Sequence, residues 1–155
     1  MSNGTVLSVQ LLTRHGERPR SVPEARALPG HGLEGDLHGK SKAHSRRQVL
    51  IVDRTTLEAF GLRPGDLREQ ITVAFPVLET LPPGTLLQVG DALLELTGPC
   101  DPCTHIGALN RVADAAAFQQ DLAGKRGQLA RVVGVEGEGS IRTGDPVAVR
   151  APVTR

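Results

Sequence analysis

Both cysteines of the chain fall in one short stretch, "TGPCDPCTHIG" (residues 97 to 107), where Cys100 and Cys103 sit three positions apart with His105 close behind. That spacing serves three chemistries. A structural zinc site takes four ligands, and beyond this pair the chain offers only His105 and the distant His15, His31, His38 and His44, with no second tight pair. A partial metal site or an open catalytic site stays open. A dithiol switch wants the pair at the mouth of a helix after a strand, where free N–H groups stabilise a thiolate. The strand-like "LLELTG" precedes it here and a helical pattern follows, but the surrounding βαβ context is missing. The third reading is two buried, inert sulfurs.

A second chemically capable run is "HGKSKAHSRR", from His38 to Arg47, which carries Lys40, Lys42, Arg46, Arg47 and two histidines with no acid. Such a run suits a phosphate or an anionic cofactor, or forms a plain solvated surface. It stands out because the whole chain is balanced, with 18 basic and 17 acidic residues, so global charge argues for no polyanionic partner. Aromatic residues are limited to three phenylalanines, which removes the stacking platform that single-stranded nucleic acid requires.

These residues must be positioned by a small scaffold. The 155 residues fit one domain, treated as a single unit from 1 to 155, with a core of Leu, Val, Ile and Ala. No basic start followed by an apolar stretch marks the N-terminus and no run approaches membrane-spanning length, so a cytoplasmic location with reduced or chemically employed cysteines is the expectation. "TVLSVQLL" reads as a first strand. "RHGERPRSVPEARALPGHGLEGD" is polar and broken and reads as a long loop, with Arg14 to Gly32 available as an interaction surface.

"RQVLIVD" (47 to 53) is a buried strand. Thr55, Glu58 and Gly61 then supply N-cap, capping-box partner and stop for a short helix. Strands are expected around Ile71 and Val73, in the two apolar runs hinged at Gly90-Asp91, and in "QLARVVGVEG" and "DPVAVR". A second helix is expected over residues 106 to 123, ending near Gly124. Gly-Asp recurs at 35, 65, 90 and 144, and the last three read as turns. The rhythm predicts a mainly β fold, a compact closed or partly closed β-barrel with about two short helical insertions.

The segments "GLEGDLHGKSKAHSRRQVLIVDRTTLEAFGLRPGDLREQITV", "LPPGTLLQVGDALLELTGPCDPCTHI" and "RGQLARVVGVEGEGSIRTGDPVAVR" together resemble a small stand-alone MOSC domain, the module named for the C-terminal region of molybdenum cofactor sulfurases. The resemblance runs from about Val6 to Arg150 and is strongest over 33 to 150. It implies a barrel of the pyruvate kinase β-barrel kind and a role in binding molybdopterin, the molybdenum cofactor, or in carrying sulfur. In those terms Cys103 is the sulfur that binds molybdenum or carries the transferable atom. Gly35, Asp36 and His38 match the early motif, Arg46, Arg47 and Gln48 the basic turn, and Gly65, Asp66, Arg68 and Glu69 the third segment.

Where the family commonly has Glu-Asn-Ile this chain has Gln70, an amide one methylene longer. The chemistry suits the residue types. A soft thiolate fits molybdenum or a persulfide, and Lys42, Arg46 and Arg47 fit a phosphate. Asp36, Arg68, Glu69 and Gln70 could hold a pterin, and His38 or His105 could move a proton beside the sulfur. The resemblance implies a molybdenum-dependent enzyme that reduces N-hydroxylated compounds with an external electron donor, since no iron-sulfur, flavin or nicotinamide motif is present. A non-catalytic module that handles sulfur or cofactor and docks on a partner is the alternative.

Overall fold

The computed structural model describes residues 3–37, 45, 47–100, 114–122 and 126–150. Eleven strands are present among them: β1 Asn3–Leu11, β2 Arg20–Val22, β3 Glu24–Leu28, β4 Gly32–Leu33, β5 Val49–Asp53, β6 Ile71–Ala74, β7 Leu86–Val89, β8 Ala92–Pro99, β9 Gln128–Val135, β10 Ser140–Arg142 and β11 Pro146–Arg150. The main sheet runs β11-β7-β8-β9-β5-β6-β1-β2. It closes because Asn3, Gly4 and Thr5 of β1 also pair with Ala148, Val147 and Pro146 of β11. The result is a seven-stranded barrel, with β2 as an appendage beside the far half of β1.

Alternation builds the interior. Ala92, Leu94 and Leu96 of β8 point inward, as do Ala130 and Val132 of β9 and Val147 of β11. In β1 both Val6 and Val9 reach the core although three positions separate them. A register shift against β6 between Val6 and Ser8 absorbs the extra residue. The hairpin of β7 and β8 turns on Gly90-Asp91 as the sequence implies, and φ of +55° at Gly90 alone fits a connection with glycine first.

Strand β5 is buried on both faces. Val49 and Ile51 enter the barrel core. Leu50 and Val52 face outward and pack with Leu57, Leu67 and Cys100 in a second, smaller cluster. This explains the unbroken aliphatic run in the sequence. Between β5 and β6, the one parallel pair of the barrel, helix α1 (Arg54–Ala59) covers that cluster through Leu57.

Two expectations are corrected here. The N-cap of α1 is Asp53, whose Oδ2 accepts the Thr55 N–H at 3.0 Å, so the helix begins before Thr55. A carboxylate at the strand's end satisfies the first turn two residues early, while Gly61 still ends it, at φ of +67°. The stretch from Arg14 to Asp36, expected as a long loop, contains β2, β3 and β4, and β3 joins β10 and β4 in a three-stranded sheet. Its apolar positions are filled by Ala25 and Ala27, alternating with Glu24 and Arg26. They are too small to register as strand anchors, yet they fit closely where this sheet meets the barrel core beside Leu33 and Ile141.

A 3₁₀ turn covers Leu78–Thr80. Helix α2 spans Ala115–Leu122 and opens on Asp114, whose Oδ1 accepts the Ala117 N–H at 3.0 Å. The earlier part of the expected helix, from 106 to 113, and its end near Gly124 lie outside the described residues. Among the described residues no helix is long and apolar enough to cross a membrane.

Candidate functional site

A cleft of about 140 Å³ opens on the outer side of β5, lined by Leu12, Arg47, Val49, Leu50, Arg68, Gln70, Cys100, Arg126 and Leu129. Its described lining contains three guanidinium groups, one amide and one thiol, and no carboxylate. The aliphatic floor is the outward face of β5 with Leu129 of β9. Arg47 stands exposed at the entrance to β5, Arg68 is half-buried, and Arg126 is only 8% exposed. Cys100 closes β8 at the cleft, its N–H donating to the Gly127 carbonyl at 3.1 Å.

The loop from Arg63 to Gln70 supplies two of these groups. Asp66 turns it by accepting the Arg63 N–H at 2.7 Å, and it also pairs with Arg18. Arg68 has φ of +61°, the one positive value at a non-glycine residue among those described. A side chain pays for that conformation in strain. It is held there by its N–H to the Gly65 carbonyl at 2.9 Å and by Nη1 donating to the Glu17 carbonyl at 2.6 Å.

Beneath the cleft lies a buried polar layer. Gln70 Oε1 accepts the Leu50 N–H at 2.8 Å, and its Nε2 donates to Asp36 Oδ2 at 3.2 Å. Asp36 Oδ1 accepts the Leu12 N–H at 2.6 Å. One amide and one carboxylate thus tie three lining residues, Leu12, Leu50 and Gln70, to the turn at Gly35, which has φ of +88°. Gln70, with its extra methylene, spans from β5 to that turn. Glu69 points inward and is fully buried. Its oxygens accept from the Leu67 N–H at 3.2 Å and the Thr72 hydroxyl at 2.9 Å, and burial lifts its carboxyl from 4.5 to about 7 against the opposing pull of the backbone N–H groups of Glu69 and Gly65 and, more weakly, of these two bonds.

The structure therefore brings together Arg47, Arg68 and Gln70 at the cleft, with Gly35, Asp36 and Glu69 behind them. His38, Lys42, Arg46, Cys103 and His105 lie outside the described residues. Two lining residues fall outside the site residues that the sequence singles out. Arg126 stands beside Lys125 before a strand and in no recognisable motif, and within the cysteine pair the family resemblance assigns the chemistry to Cys103, not to Cys100.

The closed, mostly antiparallel barrel thus carries on its outer face a cleft whose described lining is basic and holds no carboxylate. The chain belongs to the MOSC domain family, whose profile matches residues 35–148. No curated protein matches the sequence. Among solved structures it is similar to the YuaD protein of Bacillus subtilis, at 22% identity over 94% of each chain with a TM-score of 0.77. It is also similar to YiiM of Escherichia coli, at 18% identity over 97% of this chain and 72% of that one, with a TM-score of 0.69. YiiM of Geobacillus stearothermophilus gives 19% identity over 96% and 75%, with a TM-score of 0.68. At these identities the similarity speaks to the fold.

Proposed function

We propose that the cleft binds the phosphate-bearing pterin of the molybdenum cofactor and that Cys103, three residues past the cleft residue Cys100, supplies the sulfur that ligates the metal or carries a transferable sulfur atom. The observation that carries this reading is the lining itself: Arg47, Arg68 and Arg126 line the cleft with Cys100 and Gln70, and no carboxylate lines it among the described residues. That donor set fits the group. Guanidinium groups hold phosphate oxygens in paired hydrogen bonds, the Gln70 amide fixes the cleft wall through its bonds to Leu50 and Asp36, and the aliphatic floor of Leu50 and Leu129 suits the flat face of a pterin ring.

Arg126 and Arg68 would hold the anion, Arg47 with Lys42 and Arg46 would close on it from the basic run, and Gly35 and Asp36 would fix the turn beneath. His38 or His105 would hold or release a proton beside the sulfur. When bound, the cofactor supplies two-electron redox chemistry at its metal. Reduction of an N-hydroxylated compound in the cytoplasm is the corresponding activity, with electrons from a separate donor protein.

The test is elemental and fluorescence analysis of protein purified anaerobically from a host that makes the cofactor. Stoichiometric molybdenum and pterin are expected, lost in Cys103→Ser, kept in Cys100→Ser and reduced at least tenfold in Arg126→Ala, as expected for a charged hydrogen bond of roughly 1.5–3 kcal/mol. Protein free of molybdenum and pterin in every preparation would overturn the reading. A persulfide confined to Cys103 in such protein, seen by intact mass after sulfur loading, would assign it to sulfur handling.

A further inference from the structure

The geometry points to Glu69 as a positioning residue for the cleft: it anchors Leu67, the residue whose carbonyl holds Arg126, and its proton is coupled to anion occupancy of the site. The inference rests on reading the cleft as an anion site, and it concerns a residue that does not itself line it.

Leu67 is gripped at both ends. Its N–H donates to Glu69 Oε1 at 3.2 Å, and its carbonyl accepts from Arg126 Nη2 at 3.3 Å. The next residue, Arg68, holds its strained conformation through its own N–H to the Gly65 carbonyl. Removing the Glu69 acceptor would leave a buried N–H without a partner and release the Asp66–Leu67 peptide, so Leu67, whose carbonyl in the following peptide unit accepts from Arg126, would lose one of its two anchors and that carbonyl would shift with the residue.

The second half of the inference comes from the other oxygen. Gln10 Nε2 donates to Thr72 Oγ1 at 3.1 Å, and the Thr72 hydroxyl donates to Glu69 Oε2 at 2.9 Å. Gln10 Oε1 is buried and accepts no hydrogen bond among the described residues. The chain therefore has a second arrangement. With a proton on Glu69, its hydroxyl donates to Thr72, and Thr72 donates to Gln10 Oε1 after the amide turns over. Both protonation states keep the Glu69–Thr72–Gln10 chain connected, and the protonated one engages the Gln10 oxygen that the ionised one leaves without a donor, so the site can take up a solvent proton without breaking the loop.

The charged groups around it are Asp66 and Arg68 on its own loop, Asp36 beyond Gln70 and Arg126 beyond Leu67. The facing side chains of β1 and β6, Gln10 and Thr72, do not titrate. The carboxyl titrates near 7 because it is buried, and ionising it adds a negative charge behind the anion. By linkage, an anion in the cleft must favour the protonated form.

The side-chain Nε–H resonance of Arg126, followed by NMR from pH 5.5 to 8.5 with no ligand present, tests the positioning directly. In the native protein it is expected to shift with the titration of Glu69. It should stay ordered but pH-invariant in Glu69→Gln, which keeps an acceptor for Leu67, and move to the position of a solvated arginine in Glu69→Ala. A resonance that still titrates in Glu69→Gln, or that Glu69→Ala leaves in place, would overturn the inference, and the glutamine variant decides alone should the alanine variant not fold.

Sulfate, a dianion throughout this range, is the second probe. Its affinity should fall several-fold as pH rises through 7 in the native protein, stay level in Glu69→Gln and drop roughly tenfold in Glu69→Ala, the equivalent of one lost charged contact. Sulfate binding that keeps its pH dependence in Glu69→Gln would overturn the coupling. Absence of sulfate binding in a protein whose Arg126 follows Glu69 would overturn the coupling and the anion reading while upholding the positioning role, whereas absence of molybdenum and pterin alone would touch neither.

Discussion

Asp53 joins three elements with one carboxylate. Its Oδ1 accepts the Phe75 N–H at the end of β6 at 2.6 Å, while Oδ2 caps α1 through Thr55 N–H and hydroxyl. Replacing it by alanine removes a helix cap and orphans a buried N–H, so Asp53→Ala should destabilise the fold by roughly 2–4 kcal/mol in urea titration. Asp53→Asn, which keeps one acceptor, should cost less. Glu69 works in the opposite sense at neutral pH. Its folded carboxyl titrates near 7 against 4.5 when exposed, so the folded state binds the proton more tightly. The stability this contributes is complete below 4.5 and declines as pH rises toward 7, because there the unfolded chain has already released its proton and the folded chain has not. Glu69→Gln should remove that decline and be more stable than the native protein at pH 8, by on the order of 3 kcal/mol. Equal slopes of unfolding free energy against pH in the two proteins would contradict this.

At the scale of elements, the approach of β9 to β5 depends on Gly127. It has φ of +99°, and a Cβ there would lie 2.3 Å from the Ile51 carbonyl oxygen. Backbone cannot yield as a side-chain tip can, so Gly127→Ala should cost at least about 2 kcal/mol and push Arg126 out of the cleft. Loss of cleft anion affinity with a lowered unfolding midpoint is the expected pair of results. This residue also shows what a sequence discloses. The buried β5 is legible from its unbroken aliphatic run, and the Gly90 hairpin and the closing strands because aliphatic residues alternate between glycine turns. Strands β2, β3 and β4 are not, since Ala25 and Ala27 carry so little hydrophobic signal. Arg47, Arg68 and Gln70 stand in motifs that direct attention to them, whereas Arg126 reaches the cleft only because the barrel sets the start of β9 against the end of β8. That adjacency is a property of topology, and no local pattern encodes it.

For the whole molecule the decisive feature is closure. The first strand and the last pair along Asn3–Thr5 and Pro146–Ala148, so the barrel has no continuous wall until both ends of the chain are in place. Strand β11 also covers β7 from Leu86 to Val89, and its Val147 is fully buried in the core. A chain ending at Asp145 would leave β7 and half of β1 as bare edges and expose the core where Val147 sits. Open apolar edges pair with other chains, and the cost is not confined to one seam because every barrel strand depends on its neighbours' register. Such a truncation should abolish cooperative unfolding and leave a species that binds a hydrophobic dye and aggregates. In contrast, Val147→Ala in the full chain should keep the barrel closed and lose roughly 1–3 kcal/mol, the cost of a buried cavity of that size. A truncated chain that retains a dispersed NMR spectrum and a single sharp thermal transition would show that the remaining six strands hold the cleft without closure.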